Sequence, residues 1–315
     1  MAAGGNLVYM SSPAYIAGDW GTSNLRLRLC AADGATLDSR DGPGAADSRG
    51  RFAEVFDGLT AGWRKAGALP ALLCGMAGST FGWREAPYLL CPEDIDNVAG
   101  SLVRARDDVR IVPGMRCANP LGAPDVMRGE ETQLLGALAL HPALATGRHL
   151  ICMPGTHTKW VALHDGTVLE FLTVPTGEIF RMLCDHSVLI RDRDTPVVHN
   201  PRDFERGLVE SGKHAGVPLL HRLFQSRSLR LDQQLSAEGA ASWTSGLLIG
   251  TDCAGALPLF GDAEATVHLV ATEQLATLYG AALARLGRPV VRIAGEDASF
   301  AGLARIHAML TEQEK

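Results

Sequence analysis

The chain has 315 residues, 46% of them hydrophobic and 20% charged, enough apolar material for two domains with sizeable cores. Its net charge of −6, with no stretch that gathers basic residues, argues against a nucleic-acid partner. No run of about 18 apolar residues occurs, so no membrane-spanning helix is expected. Seven scattered cysteines without a Cys-x-x-Cys pair read as reduced, buried thiols of a cytoplasmic protein.

Residues 1–14 lack the basic start and apolar core of a signal peptide and read as a flexible tail. A strand then begins at Ile16 and breaks at Gly21-Thr22-Ser23. It resumes with Leu25, Leu27 and Leu29 on one face and Arg26 and Arg28 on the other. Asp19 stands at the exit of the first strand. A carboxylate there can hold a hydrated divalent cation, while turn N–H groups and hydroxyls meet phosphate oxygens. So short a motif serves equally well as an ordinary hairpin turn.

Further along, Phe52, Val55, Phe56, Leu59 and Trp63 have helical spacing within 51–66. The apolar run 71–75 reads as a strand covered on both faces. The glycine-rich loop that follows, 75–88, carries Ser79, Trp83, Glu85 and Tyr88 at the carboxyl end of that strand, where α/β folds bind ligands. A helix is expected over 93–104 and a strand over 109–112. Residues 117–124, with Asn119-Pro120, Gly122 and Pro124, mark the expected boundary between domains 15–118 and 119–315. A helix with an acidic first turn is expected over 125–140.

The segment 149–173 echoes the opening. A strand ends in Pro154-Gly155-Thr156-His157-Thr158-Lys159, a second strand follows, and Asp165-Gly166 turns the chain into a third. The first half has the same order, with Gly21-Thr22 and then Asp33-Gly34. One Gly-Thr hairpin in each half is the mark of two equivalent domains facing one nucleotide across a cleft. Helices over 177–190, 202–227, 243–252, 273–285 and 298–310 alternate with strands over 267–271 and 290–294, which makes the fold α/β. Gly207 to Lys213 has the spacing of a phosphate-binding Walker loop, but it follows no strand and leads into His214, so it lacks the required context.

Taken in order, several motifs resemble the 2-dehydro-3-deoxygalactonokinase family of the sugar kinase and actin-like ATPase superfamily. They are Asp19-Trp20-Gly21-Thr22-Ser23-Asn24-Leu25-Arg26, Gly75-Met76-Ala77-Gly78-Ser79 with Gly82-Trp83 and Glu85-Ala86-Pro87-Tyr88, Asp125 through Gln133, Pro154 through Val161, and Ser245 through Gly250. The resemblance implies two ribonuclease-H-like domains with a nucleotide cleft between them. It also implies ATP- and Mg²⁺-dependent phosphorylation of 2-dehydro-3-deoxy-D-galactonate on its 6-hydroxyl in galactonate catabolism. Two departures from the family pattern are Thr80, where an Arg or similar polar residue is usual, and Val270-Ala271-Thr272, which lacks the glycine usual in an adenosine-binding turn.

On this reading Asp19 binds the metal. Gly21, Thr22 and Ser23 meet the phosphates on one side, and Gly155, Thr156, His157 and Thr158 meet them on the other. Lys159 faces either a phosphate or solvent. Glu130 is the expected base, with Glu131 its competitor, and the two acids equally suit a helix start. Arg128 has the guanidinium fork suited to the sugar-acid carboxylate, and Asn24, Ser79, Trp83 and Glu85 are candidates for holding the substrate. The expected partners are the sugar acid and ATP, without nucleic acid or membrane, and homo-oligomerisation stays open. Two other readings are a kinase of another aldonate or deoxy sugar acid, and a catalytically silent sugar-acid or nucleotide-binding regulator.

Overall fold

In the computed structural model, which describes residues 12–65, 67, 69–190, 199–214, 216–261 and 266–313, two six-stranded sheets share a five-stranded topology. The first sheet runs Thr36–Pro43, Asn24–Ala31, Pro13–Trp20, Ala71–Gly75, Val109–Ile111 and Val103–Arg106. Its first three strands form an antiparallel meander, and the next two lie parallel to Pro13–Trp20. The second sheet has the same meander, Thr167–Val174, Thr158–His164 and Arg148–Met153, followed by the parallel strands Val267–Ala271 and Val290–Ala294. The repeat read from the two Gly-Thr hairpins is thus a repeat of five strands in each sheet; the sixth strands lie at opposite edges, Val103–Arg106 beyond the parallel strands of the first and Glu93–Asp94 beside the meander of the second.

Alternation explains the first meander. Leu25, Leu27 and Leu29 are buried beside Phe52 and Phe56 of the helix Phe52–Thr60. Arg26 and Arg28 emerge on the opposite face, where the chain's last helix, Gly295–Gln313, lies across the sheet. That helix crosses Glu130–Leu140, and both are buried between the sheets through Leu134, Leu138, Leu303 and Ile306. It also docks on the first half of the chain: His307 stacks on Tyr15 with ring centroids 4.0 Å apart, and Arg305 donates to Asp96 at 2.6 and 2.7 Å.

Several boundaries differ from the sequence reading. The helix expected over 93–104 is instead a two-residue strand Glu93–Asp94, a single turn Asn97–Gly100 and the strand Val103–Arg106. Glu93–Asp94 pairs with Thr167 and Val168 at the edge of the second sheet, a long-range pairing that overrides the local helical spacing. Residues 119–123 form the connection of a hairpin between Gly114–Ala118 and Pro124–Met127, which with Tyr88–Leu90 make a third sheet. The following helix therefore starts at Glu130, not at 125. The helix expected over 202–227 breaks into Pro201–Lys213, Leu220–Leu223 and Gln225–Leu231. The buried helix expected over 243–252 extends to Ala237–Ala256. Of the tail, residues 1–11 lie outside the described residues, and Pro13 already belongs to the first strand. All seven cysteines are free and buried, as expected.

Candidate active site

Asp19 is the penultimate residue of the first strand, opposite Arg26 in register. Its Oδ2 accepts a hydrogen bond from Ser299 Oγ at 3.2 Å and lies 3.7 Å from Arg26 Nη1. Burial pushes its carboxyl up, opposed by the Arg26 charge and the Ser299 hydroxyl. Beside it Gly75 ends the parallel neighbour strand with φ +78, and Gly129, with φ +105, precedes Glu130. These left-handed conformations favour glycine. A Cβ on Gly129 would sit 3.3 Å from the Gly75 Cα, so the two glycines bring the Asp19 strand end against the start of the Glu130 helix.

The two glutamates fold back over that helix start. Glu130 Oε2 accepts from Arg128 N at 2.9 Å, and Glu131 Oε2 accepts from Gly129 N at 2.7 Å. Each satisfies a donor near the helix end. Glu131 is fully buried, with Thr132 Oγ1 donating to its Oε1 at 3.1 Å. Burial and then the neighbouring Glu130 charge push its carboxyl up to about 8. Glu130 keeps partial exposure, and Lys159 Nζ lies 3.5 Å from its Oε1. Lys159 is only 4% exposed, which removes the solvent-facing alternative left open by its position in a strand.

Both Gly-Thr turns project outward. Gly21 N donates to Asn24 O at 2.9 Å to close the first turn, leaving Thr22, Ser23 and Asn24 exposed. In the second turn Thr156 and His157 are exposed, with His157 Nε2 2.9 Å from Glu178 Oε2. Thr158 is different: its side chain is buried and its hydroxyl shares a 2.7 Å hydrogen bond with the Tyr279 hydroxyl. Tyr279 in turn donates to Asp252 at 2.8 Å, as do Trp160 Nε1 at 2.9 Å and Thr176 Oγ1 at 2.6 Å. Each turn also rests on a glycine. A Cβ on Gly44 would meet Thr22 O at 2.3 Å, and one on Gly177 would meet Gly155 O at 2.2 Å.

The loop after Ala71–Gly75 gathers polar atoms that lack partners. Arg128 Nη2 donates to Ala86 O at 2.8 Å, and its guanidinium lies 4.3 Å over the Tyr88 ring. Its Nε and Nη1, and the buried Ser79 Oγ, have no hydrogen-bond partner among the described residues. Such orphans are costly unless a ligand meets them. Trp83 packs inward, 5.5 Å from Phe56 and 6.4 Å from Trp20 between ring centroids. Glu85 and Thr80 are exposed and outside this polar group.

A family model described as 2-keto-3-deoxy-galactonokinase matches residues 19–306. The chain belongs to this family. It is 38% identical over 299 residues to a Rhizobium meliloti (strain 1021) protein described as a 2-dehydro-3-deoxygalactonokinase, covering 92% of this chain and 95% of that one. It is 35% identical over 297 residues to the 2-dehydro-3-deoxygalactonokinase of Escherichia coli (strain K12), covering 94% and 98%. A crystal structure of a Sinorhizobium meliloti protein assigned to the same activity superposes with a TM-score of 0.85 at 37% identity, covering 94% of this chain and 99% of that one. The resemblance carried by the motifs is therefore real, and this member of the 2-keto-3-deoxy-galactonokinase family is a phosphotransferase of the actin-like ATPase fold.

For a metal, the described residues of this family member form no group of three or more His, Cys, Asp or Glu ligands. The acids near the junction, Asp19 and Glu130, are hard oxygen donors. That sparse set suits magnesium, which keeps several waters and takes further ligands from phosphates. Sequence reasoning missed Ser299, Gln133, Asp252, Gly44 and Gly177. Gln133 closes the Asp125–Gln133 motif, and Gly177, Asp252 and Ser299 fall in helices expected from the sequence, but no short motif marks the contacts that these residues make once folded, and Gly44 lies in no motif or expected helix. No helix among the described residues is long and apolar enough to cross a membrane.

Proposed function

We propose that this kinase transfers the γ-phosphoryl group of ATP to the 6-hydroxyl of 2-dehydro-3-deoxy-D-galactonate, in a cleft between residues 15–118 and 119–315. The observation that carries the reading is the junction of Gly75 with Gly129, which joins a strand-end acid, Asp19, to a helix-start acid, Glu130. Phosphoryl transfer needs positioning, charge neutralisation and a base, and little else from the protein.

The residues divide these tasks. Asp19 holds hydrated magnesium, which when bound neutralises charge on the phosphates. Gly21, Thr22 and Ser23 offer N–H groups and hydroxyls to the phosphates from one turn. Gly155, Thr156 and His157 do so from the other, with Thr158 supporting that turn from beneath through Tyr279. Glu130 takes the proton of the attacking hydroxyl, and Lys159 holds its carboxylate from the second turn. Arg128 and Ser79, with their unpartnered atoms, receive the sugar-acid carboxylate. Asn24 and Glu85 contact the sugar from the exposed ends of their loops, and Trp83 stiffens the loop by packing.

The test is coupled ADP release by the purified protein with ATP, Mg²⁺ and a panel of sugar acids. Turnover with 2-dehydro-3-deoxygalactonate well above that with other aldonates is expected. Binding of ATP and sugar acid without any ADP release would turn the reading into a silent regulator.

A further inference from the structure

We infer that Ser299, oriented by Gln133, is a positioning residue for Asp19, an inference that rests on the reading of Asp19 as the metal-holding acid. Ser299 is 1% exposed, on the last helix, and its hydroxyl donates to Asp19 Oδ2 at 3.2 Å. A serine inside a helix has a competing acceptor, the carbonyl four residues back, which here is Gly295 O. Gln133 Nε2 occupies both ends of that alternative: it lies 3.4 Å from Gly295 O and 3.2 Å from Ser299 Oγ. An amide nitrogen only donates, so Ser299 accepts from Gln133 and keeps its single proton to give. It gives that proton to Asp19.

The consequence is a carboxylate with distinct oxygens. Oδ2 is held by Ser299, with Arg26 behind it at 3.7 Å. Oδ1 faces the Gly75 side of the junction, where its recorded contact is the weak Cys74 thiol donor at 3.8 Å. Oδ1, which Ser299 does not hold, is therefore the oxygen that would be left to a hydrated cation. Gln133 lies three residues, nearly one helical turn, beyond Glu130, so the relay also ties the helix bearing the base to the acid holding the metal. Partners that orient a metal ligand in this way typically cost about 10- to 100-fold in metal affinity or activity when removed.

The experiment is a calorimetric titration of Mg²⁺ into ADP-saturated protein, with sugar-acid binding and steady-state rates measured alongside. Ser299→Ala should weaken Mg²⁺ binding about 10- to 100-fold and raise the Mg²⁺ needed for half-maximal rate, with sugar-acid affinity unchanged. Ser299→Thr, which restores the hydroxyl, should recover most of the loss. Gln133→Leu, which leaves Ser299 free to donate to Gly295 O, should show a smaller loss of the same kind. Near-ultraviolet circular dichroism identifies any variant that misfolds, and Gln133→Leu carries the test if Ser299→Ala is one. Asp19→Asn separates the two readings. If Asp19→Asn binds Mg²⁺ like the wild type, the metal reading of Asp19 fails. If Asp19→Asn loses Mg²⁺ binding while Ser299→Ala and Gln133→Leu keep it, the positioning role is overturned. Ser299→Ala added to Asp19→Asn should cost nothing further, and a further loss would mean that Ser299 acts elsewhere.

Discussion

Glu130 and Glu131 are neighbours in sequence, yet about 100° of helix rotation separates their side chains. Glu131 turns inward and is fully buried, while Glu130 stays at the junction beside Lys159. If Glu130 is the base, Glu130→Gln keeps size and hydrogen bonding but accepts no proton. Its kcat should fall by about 10² to 10⁴ with both substrates still bound, as rates and calorimetry together will read. Glu131→Gln should cost less in rate and act on stability instead. With the Glu131 carboxyl moved from 4.5 to about 8, the folded state keeps a proton that the unfolded state releases between those values. Its contribution is full below the lower value and is lost as pH rises through the upper one. Denaturation of wild type and variant from pH 4.5 to 8.5 should show Glu131→Gln gaining relative stability with rising pH. A pH-independent difference between the two would place Glu131 ionised throughout. If Arg128 receives the sugar-acid carboxylate, Arg128→Met should raise KM for the sugar acid far more than KM for ATP, because two guanidinium nitrogens without partners among the described residues lie against the loop that holds Ala86. An effect on ATP alone would move Arg128 to the phosphate side.

Among the elements, the turns were legible and their supports were not. Asp19, Gly21-Thr22 and Gly155-Thr156 announce themselves because acid, glycine and hydroxyls stand together in the chain. Gly44 and Gly177 carry the same turns from beneath, but they meet them only through the folded backbone. Long-range pairing also hid the true course of 93–104, whose apolar spacing suits a helix although its two ends join different sheets. Gly129 alone could have shown that Pro124–Met127 ends before the helix begins, since a glycine just before two glutamates suits a left-handed break. A direct test of the support is Gly177→Ala. Its Cβ would lie 2.2 Å from Gly155 O, a backbone atom that cannot rotate away, so the second turn must shift. KM for ATP should rise several-fold while KM for the sugar acid holds. Equal effects on both would mean that the second turn does not belong to the nucleotide side.

At the scale of the whole molecule, the two repeated sheets are joined by the crossing of Glu130–Leu140 and Gly295–Gln313, and the candidate chemistry sits at the ends of those helices. Glu130 starts one, and Ser299 lies near the start of the other. The crossing is so close that a Cβ on Gly136 would lie 1.8 Å from Ala298 O, and one on Gly302 would lie 2.0 Å from Thr132 O. Neither backbone carbonyl can yield without separating the helices. Gly302→Ala should therefore destabilise by about 1 to 3 kcal/mol or more, as overpacking does, even though alanine is the better helix former. Gly58→Ala is the matched control: on the exposed side of the last turn of Phe52–Thr60 its Cβ would meet nothing within 4 Å, so it should stabilise by up to about 0.5 to 1 kcal/mol. Because separation of the helices also moves Glu130 away from Asp19, Gly302→Ala should lose kcat well below its melting temperature, whereas Gly58→Ala keeps it. Thermal melts and rates at 25 °C distinguish the outcomes. Loss of stability with unchanged kcat would show that the crossing holds the molecule together without setting the distance between its two acids.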